Sequence, residues 1–379
     1  MKGFIIFITL VLLIYGGTNF YIYQRVIGAA QMQGALALAI KLLLLALILA
    51  YPVSRFLDIT HGLGKFLYWT GSFWLGIMSY GLLAVVVVDL FRLSDLITGW
   101  YPAWLIQNRL LVSRMVVVGF STLILLLIAG GFARQRNVVV REHTITLPHL
   151  PDNFTGYRFA VFADTHLGSI NGEKWLSRLV EQINGVDAKA VLIIGDLYDE
   201  KAESVKWSAE LLRTVQPPDG VWAVTGNHEF YEGIDKATAL MKESGLNVLR
   251  NKTAIIGDFF LVGLDDIAAN RSFGIPLVPI AELTAKNERN LPVILLHHTP
   301  VRYKEAVEAG VDLWFSGHTH GGQMFPFGWL AKLSYGVGQG WTQMGSMQLF
   351  VTDGAGTWGP PVRVGTTPEL VVINIEKES

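Results

Sequence analysis

The sequence predicts an α/β protein preceded by a four-helix transmembrane region, on three grounds. Apolar residues fill 51% of the 379 positions and charged residues only 16%, which is too apolar for a soluble chain of this size. The excess lies in long runs before residue 133. From about residue 155 onward, short β-rich runs alternate with helical spacing, the pattern of a fold with strands in the middle and helices outside.

The apolar region comes first. Residues 3–23, 34–53, 66–88 and 111–132 are each long enough to cross about 30 Å of hydrocarbon as a helix. Residues 1–132 are therefore expected to form an anchor of four spans, with the lipid bilayer as a partner. Lys2 ahead of the first run and the small residues at 28–30 would also suit a cleaved leader, but Phe20, Tyr21 and Tyr23 close that run as an interfacial belt does. With the N-terminus inside, Lys2, Arg55, Lys65, Arg134, Arg136 and Arg141 fall on inner flanks, and Arg25, Arg92, Arg109 and Arg114 on outer ones. That excess predicts a multi-pass cell-membrane protein whose C-terminal half is cytoplasmic. Lys41 and Arg114 lie in or near spans, where an ionisable group can mark a transport pathway. The spans hold no carboxylate or histidine to relay a proton, and long basic side chains can extend to the interface, so anchorage is the expected role.

Residues 133–154, charged and broken by Pro148 and Pro151, read as a linker, and 155–379 as a second domain. The runs 157–163, 190–195, 220–226, 292–298 and 312–317, each bounded by polar residues or glycine, suit buried strands. Between them, Trp175, Leu176, Leu179, Val180 and Ile183 recur at helical spacing, and 203–215, 235–244 and 301–309 read similarly.

Each of these strands ends in a polar cluster: Asp164-Thr165-His166, Gly195-Asp196-Leu197-Tyr198-Asp199, Gly226-Asn227-His228-Glu229, His297-His298-Thr299-Pro300 and Gly317-His318-Thr319-His320. Loops at one end of the strands form the ligand crevice in an α/β sheet, so five such ends bring His, Asp and Asn together. His318 and His320 alternate in direction and can address different ions only if other loops complete each ligand set. Cysteine is absent, which excludes a disulfide framework, a zinc ribbon and a thiol nucleophile. A formal net charge of -1 argues against nucleic acid as a partner.

The ordered blocks D-T-H (164–166), G-D-x-x-D (195–199), G-N-H-E (226–229), H-x-P (298–300) and G-H-T-H (317–320) resemble those of the calcineurin-like metallophosphoesterases. The ending GAGTWGPPVRVGTTPEL (354–370) is similar to the membrane-associated bacterial branch, which includes lipid-sugar nucleotide pyrophosphatases. The resemblance covers about 155–376 and implies an αββα sandwich with a two-metal site. Asp164, His166 and His320 would hold one ion, Asn227, His298 and His318 the other, and Asp196 would bridge them. Mixed imidazole and carboxylate donors suit manganese, iron or zinc better than magnesium, and manganese is expected. His228 would stand beside the phosphate and either protonate the leaving oxygen or stabilise charge in the transition state. Asp199 and Glu229 would orient ligands through hydrogen bonds or be plain surface carboxylates.

The family pattern selects His298 over His297, which strand alternation sends to the opposite face as a hydrogen-bonded neighbour. His61, His143 and His149 read as surface or interfacial. Arg363 is a candidate contact for an anionic substrate, with a surface salt bridge as the plainer alternative. The stretch 321–345, with Phe325, Trp329 and Leu330, either packs on the sheet or forms an exposed apolar rim that meets lipid. The expected function is a membrane-anchored metal-dependent phosphoesterase acting on a phosphoester or pyrophosphate, with a lipid-linked or nucleotide-sugar lipid substrate. The alternatives are a phosphodiesterase or phosphatase for soluble substrates, and a non-catalytic metal-binding scaffold or transporter.

Overall fold

The computed structural model describes residues 2–31 and 33–377. The chain divides into two compact units: one runs to Gly131 and includes Gly359–Val362, and the other comprises Phe132–Trp358 and the chain from Arg363.

The first unit holds α1 (Lys2–Ala30), α2 (Gly34–Ser54), α3 (Gly62–Thr98), the short α4 (Ala103–Gln107) and most of α5 (Arg109–Gln135). Three of these, α2, α3 and α5, are long and apolar enough to cross a membrane. The expectation of four spans is thus corrected to three among the described residues. The remaining candidate, 3–23, lies within α1, and part of it falls outside the described side chains. Helix α3 outruns its expected limit at residue 88, because no breaker interrupts it before Gly99, which caps it at φ 65°. Its 37 residues reach about 55 Å at 1.5 Å per residue, further than a hydrocarbon core. Small residues let α2 and α3 approach: a Cβ on Gly71 would stand 2.4 Å from the Tyr51 amide nitrogen. The buried Trp74 indole donates to Asn19 Oδ1 at 3.0 Å.

The second unit is built on two six-stranded sheets. Strands β1 (Val139–Leu147), β2 (Tyr157–Phe162), β3 (Ala190–Ile194), β4 (Val221–Val224), β5 (Asn247–Val248) and β12 (Glu369–Lys377) form one, in the order β1-β12-β2-β3-β4-β5. Strands β6 (Lys252–Ile256), β7 (Phe259–Gly263), β8 (Val293–Leu296), β9 (Leu313–Ser316), β10 (Gly340–Met344) and β11 (Met347–Val351) form the other, in the order β10-β11-β9-β8-β7-β6. Phe159, Val161, Leu192 and Ile194 of the first sheet and Leu261, Ile294, Leu296 and Phe315 of the second share one buried core, as the inner faces of a sandwich do.

Helices cover the outer faces. On the first sheet, α6 (Glu173–Gly185), α7 (Ser208–Leu212) and α8 (Asn227–Glu243) bury Leu176, Leu179, Leu212 and Met241. On the second, α10 (Ile280–Thr284) and α11 (Tyr303–Glu308) bury Ile280, Leu283 and Ala306; α9 (Ala268–Phe273) and α12 (Gly328–Tyr335) lie in the connections around them. Residues 139–147, which read as linker, form β1 along a parallel register with β12. That pairing needs a strand near the C-terminus, which no local reading of the segment supplies.

Strands β2, β3 and β4 are mutually parallel, and so are β8 and β9. The carboxyl ends of the first three carry the clusters at 164–166, 195–199 and 226–229, and those of the other two carry 297–300 and 317–320. The crevice is therefore shared between two sheets, where the sequence alone suggests one.

Candidate metal centre

Backbone geometry sets this place apart before any side chain is considered. Asp164, His166, Asp196, His318 and His320 have φ between 46° and 70°. For residues other than glycine such conformations cost about 1–3 kcal/mol each and persist where the surroundings hold them. Glycines let the loops close on one another: a Cβ on Gly226 would lie 2.1 Å from Asp196 Oδ1, and one on Gly317 would lie 2.5 Å from Asp164 Oδ2. The glycine in each G-D, G-N and G-H block thus has a reason in close approach.

The side chains converge in three overlapping groups of metal-ligand type: Asp164, His166 and His320; His166, Asp196 and His228; and Asp196, His298 and His318. In the first, His166 Nε2 lies 3.1 Å from His320 Nε2, and Asp164 Oδ1 lies 4.0 Å and 3.6 Å from the same two nitrogens. In the third, His298 Nε2 is 3.1 Å from Asp196 Oδ2 and 3.3 Å from His318 Nδ1. Asp196 Oδ2 also lies 3.7 Å from His166 Nε2, so this carboxylate stands between the groups. Among the described residues the buried Oδ1 of Asn227 has no hydrogen-bond partner, an uncommon state for a buried acceptor and one a cation would satisfy. Imidazole nitrogens facing each other across carboxylate oxygens form a donor set that fits divalent metal.

The electrostatics follow from burial and proximity. Burial, reinforced by Asp196, raises Asp164. Burial opposes ionisation of Asp196 as well, but His298, His228 and His166 outweigh it and hold that carboxyl well below the usual range. His228 loses solvation, yet Asp196 and the Asp199 hydrogen bond raise it to about 9. Asp199 Oδ1 lies 3.1 Å from His228 Nδ1 and 3.3 Å from His166 Nδ1, so one carboxylate faces both rings and is itself held at about 2 despite its burial.

Glu229 is no surface carboxylate. It is buried, and it accepts from the backbone N–H of Asp196, Leu197, Tyr198 and Gly226, clamping the Asp196 loop to the start of α8. Arg363 corrects both readings given to it. It is fully buried, and among the described residues it pairs with no carboxylate. Its guanidinium donates to the carbonyls of Gly354, Gly356 and His320 and lies 3.1 Å from His320 Nδ1. Burial and then this guanidinium keep the His320 ring neutral, the state a ligating imidazole needs. The basic residue was visible in the sequence, but a fold that buries it behind a histidine more than forty positions earlier was not.

His297 is buried and turned away from the centre, as alternation predicts, but neither ring nitrogen has a hydrogen-bond partner among the described residues. Its ring faces Trp314 at 5.8 Å, and burial lowers it to about 4. His143 packs against Trp341 and Phe350. Sequence reading missed two supporting residues. Asp266 accepts from the Thr299 hydroxyl and amide and so holds the turn after His298. The Tyr335 hydroxyl lies 2.8 Å from His318 Nε2. Neither belongs to a motif, and each reaches the site only through the tertiary fold.

Residues 157–322 match the calcineurin-like phosphoesterase family. Over 98% of its length the chain is 28% identical to an uncharacterized metallophosphoesterase of Campylobacter jejuni, covering 99% of that protein. It is 30% identical to one from Aquifex aeolicus, matching 62% of this chain and 91% of the relative. It is 29% identical to a transmembrane protein with metallophosphoesterase domain from Danio rerio, over 86% of this chain and 80% of that one. The chain belongs to the calcineurin-like metallophosphoesterase family, whose members are metal-dependent phosphoester hydrolases.

Proposed function

We propose that this is a membrane-anchored, two-metal phosphoesterase in which Asp164, His166 and His320 hold one divalent ion, Asn227, His298 and His318 hold a second, and Asp196 bridges them. The observation that carries this reading is the position of Asp196, whose Oδ2 is within 3.7 Å of both His166 Nε2 and His298 Nε2. When bound, a pair of divalent ions supplies Lewis acidity that activates water and neutralises charge on a phosphoryl group. The chain's own residues do the rest. Asp199 fixes the His166 and His228 rings, and Glu229 and Arg363 hold the loops that bear Asp196 and His320. His228, kept protonated by Asp196 and Asp199, donates its proton to the leaving oxygen. Manganese suits the donor set, with iron or zinc as alternatives.

The substrate we favour is a phosphodiester or pyrophosphate carried on a lipid, with the catalytic unit on the cytoplasmic side. Membrane-type helices in the same chain support the lipid-linked substrate, and Arg134, Arg136 and Arg141, at and just past the end of the last of them, support the cytoplasmic side. The test uses purified full-length chain in detergent with Mn²⁺, following hydrolysis of bis-p-nitrophenyl phosphate beside Asp196→Asn and His228→Ala. Wild-type turnover that Asp196→Asn loses and His228→Ala lowers by a smaller factor is the expected result. Undiminished turnover in Asp196→Asn would remove the two-metal reading. Mass spectrometry of products from membrane lipid extracts and from soluble nucleotides, tested side by side, then decides the substrate class.

A further inference from the structure

We infer that α12 and the turn before it form a lipid-contacting element at the mouth of the metal centre, seated in the headgroup region of the bilayer. None of the eight residues of α12 is buried. Trp329, Leu330 and Leu333 share one side of the helix by the 3.6-residue period; Trp329 is 72% and Leu333 82% exposed, and Phe325 adds its exposed ring just before the helix, edge-on to Trp329. A cluster of large apolar side chains on one side of a short helix is not what water selects. The helix is also tied to the chemistry at its far end, because Tyr335 on the opposite side meets His318.

Charge and composition select a lipid surface as the occupant over a protein one. No acidic residue occurs between Asp312 and Asp353, and Lys332, in the exposed turn, is the one Lys or Arg in that stretch. Tryptophan with a neighbouring lysine is the composition of a membrane interface, where the ring sits among headgroups and the ammonium reaches phosphate. The same chain carries helices long and apolar enough to cross a bilayer, so a lipid surface is tethered beside the catalytic unit at high effective concentration. This inference concerns where the helix sits and does not depend on the bond that is cleaved.

The absence of cysteine makes the test direct. Leu333→Cys and, as a control on an exposed loop elsewhere, Glu288→Cys are each spin-labelled in the full chain. Each is reconstituted in nanodiscs of phosphatidylethanolamine and phosphatidylglycerol, and collision rates with oxygen and with an aqueous nickel chelate are measured. The expected result is an oxygen-to-nickel collision ratio severalfold higher at 333 than at 288. Equal ratios at the two positions would overturn the inference. So would a label at 333 shielded from both reagents, which would mean protein contact, from a second copy or another segment. Trp329→Cys, one turn earlier on the same side, should repeat the result if the first variant reconstitutes poorly.

Discussion

Asp164, His166 and His320 are all buried, and the groups behind the two imidazoles are charged: Asp199 behind His166 and Arg363 behind His320. Around His298 and His318 the supports are neutral, the Ile194 carbonyl at 2.7 Å and the Tyr335 hydroxyl at 2.8 Å, while His318 and Asn227 remain half-buried. The two halves are similar in donor chemistry and differ in what fixes them. A charged brace in a dry place cannot be withdrawn without leaving polar groups unpaired, so the first half is expected to hold its ion the more firmly. The second, whose two imidazoles are met by neutral groups, is expected to exchange its ion more readily.

Asp196 belongs to both halves, and its replacement should have the largest effect. In Asp196→Asn we expect turnover at background and a metal content, by elemental analysis of the purified chain, below that of any other variant. Two ions retained in that variant would show that the halves do not share this carboxylate. His228 separates chemistry from metal binding. His228→Ala should keep its ions and lose about 10²- to 10⁴-fold in turnover of a substrate with a poor leaving group. A nitrophenolate leaving group needs little protonation, so the loss on it should be smaller. Equal losses on both substrates would argue that His228 only shapes the site.

The difference between the halves is sharpened most by Arg363→Met, which keeps much of the volume and removes every donor. The carbonyls of Gly354, Gly356 and His320 would lose a buried partner, at about 1–3 kcal/mol for each left unsatisfied, and His320 would lose its support. Turnover should fall by about 10- to 100-fold, as for other residues that orient a metal ligand. Elemental analysis should find one ion where two are expected in the wild type, and the thermal midpoint of the catalytic unit should drop. A stable variant with both ions would mean that His320 is set by its own loop alone.

How much of this was legible depended on distance along the chain. The strands that carry the motifs were readable because buried parallel strands are continuous apolar runs, as in Val191–Ile194 and Leu313–Phe315. Strands β1, β5, β6, β7, β10, β11 and β12 escaped: β1, β5, β6 and β10 are mostly exposed or half-buried, and β7, β11 and β12, though buried, end in none of the polar clusters that marked the others. The converging residues were legible for another reason: Asp164, Asp196 and His318 each follow a strand and adjoin glycine or another polar residue, so position and chemistry pointed the same way. Arg363, Asp266 and Tyr335 carry no such local mark. What makes each a supporting residue is its partner, His320, Thr299 or His318, and partnership across the fold has no period in the sequence.

Tyr335→Phe is the smallest change and the finest test of the comparison. It removes one oxygen, 2.8 Å from His318 Nε2, and leaves the ring that packs edge-on against the imidazole. If Nδ1, which is turned toward His298, binds the proposed ion, Nε2 would carry the ring proton and donate to the hydroxyl, so the variant would free the ring to rotate without taking a ligand away. The loss of turnover should lie near the lower end of about 10- to 100-fold, and it should appear as a demand for more Mn²⁺, with activity restored at high metal. Arg363→Met should show no such rescue, because its defect is a displaced loop in a buried place. If excess metal rescues both variants or neither, the two halves are held alike, and the distinction between a fixed and an exchangeable half fails.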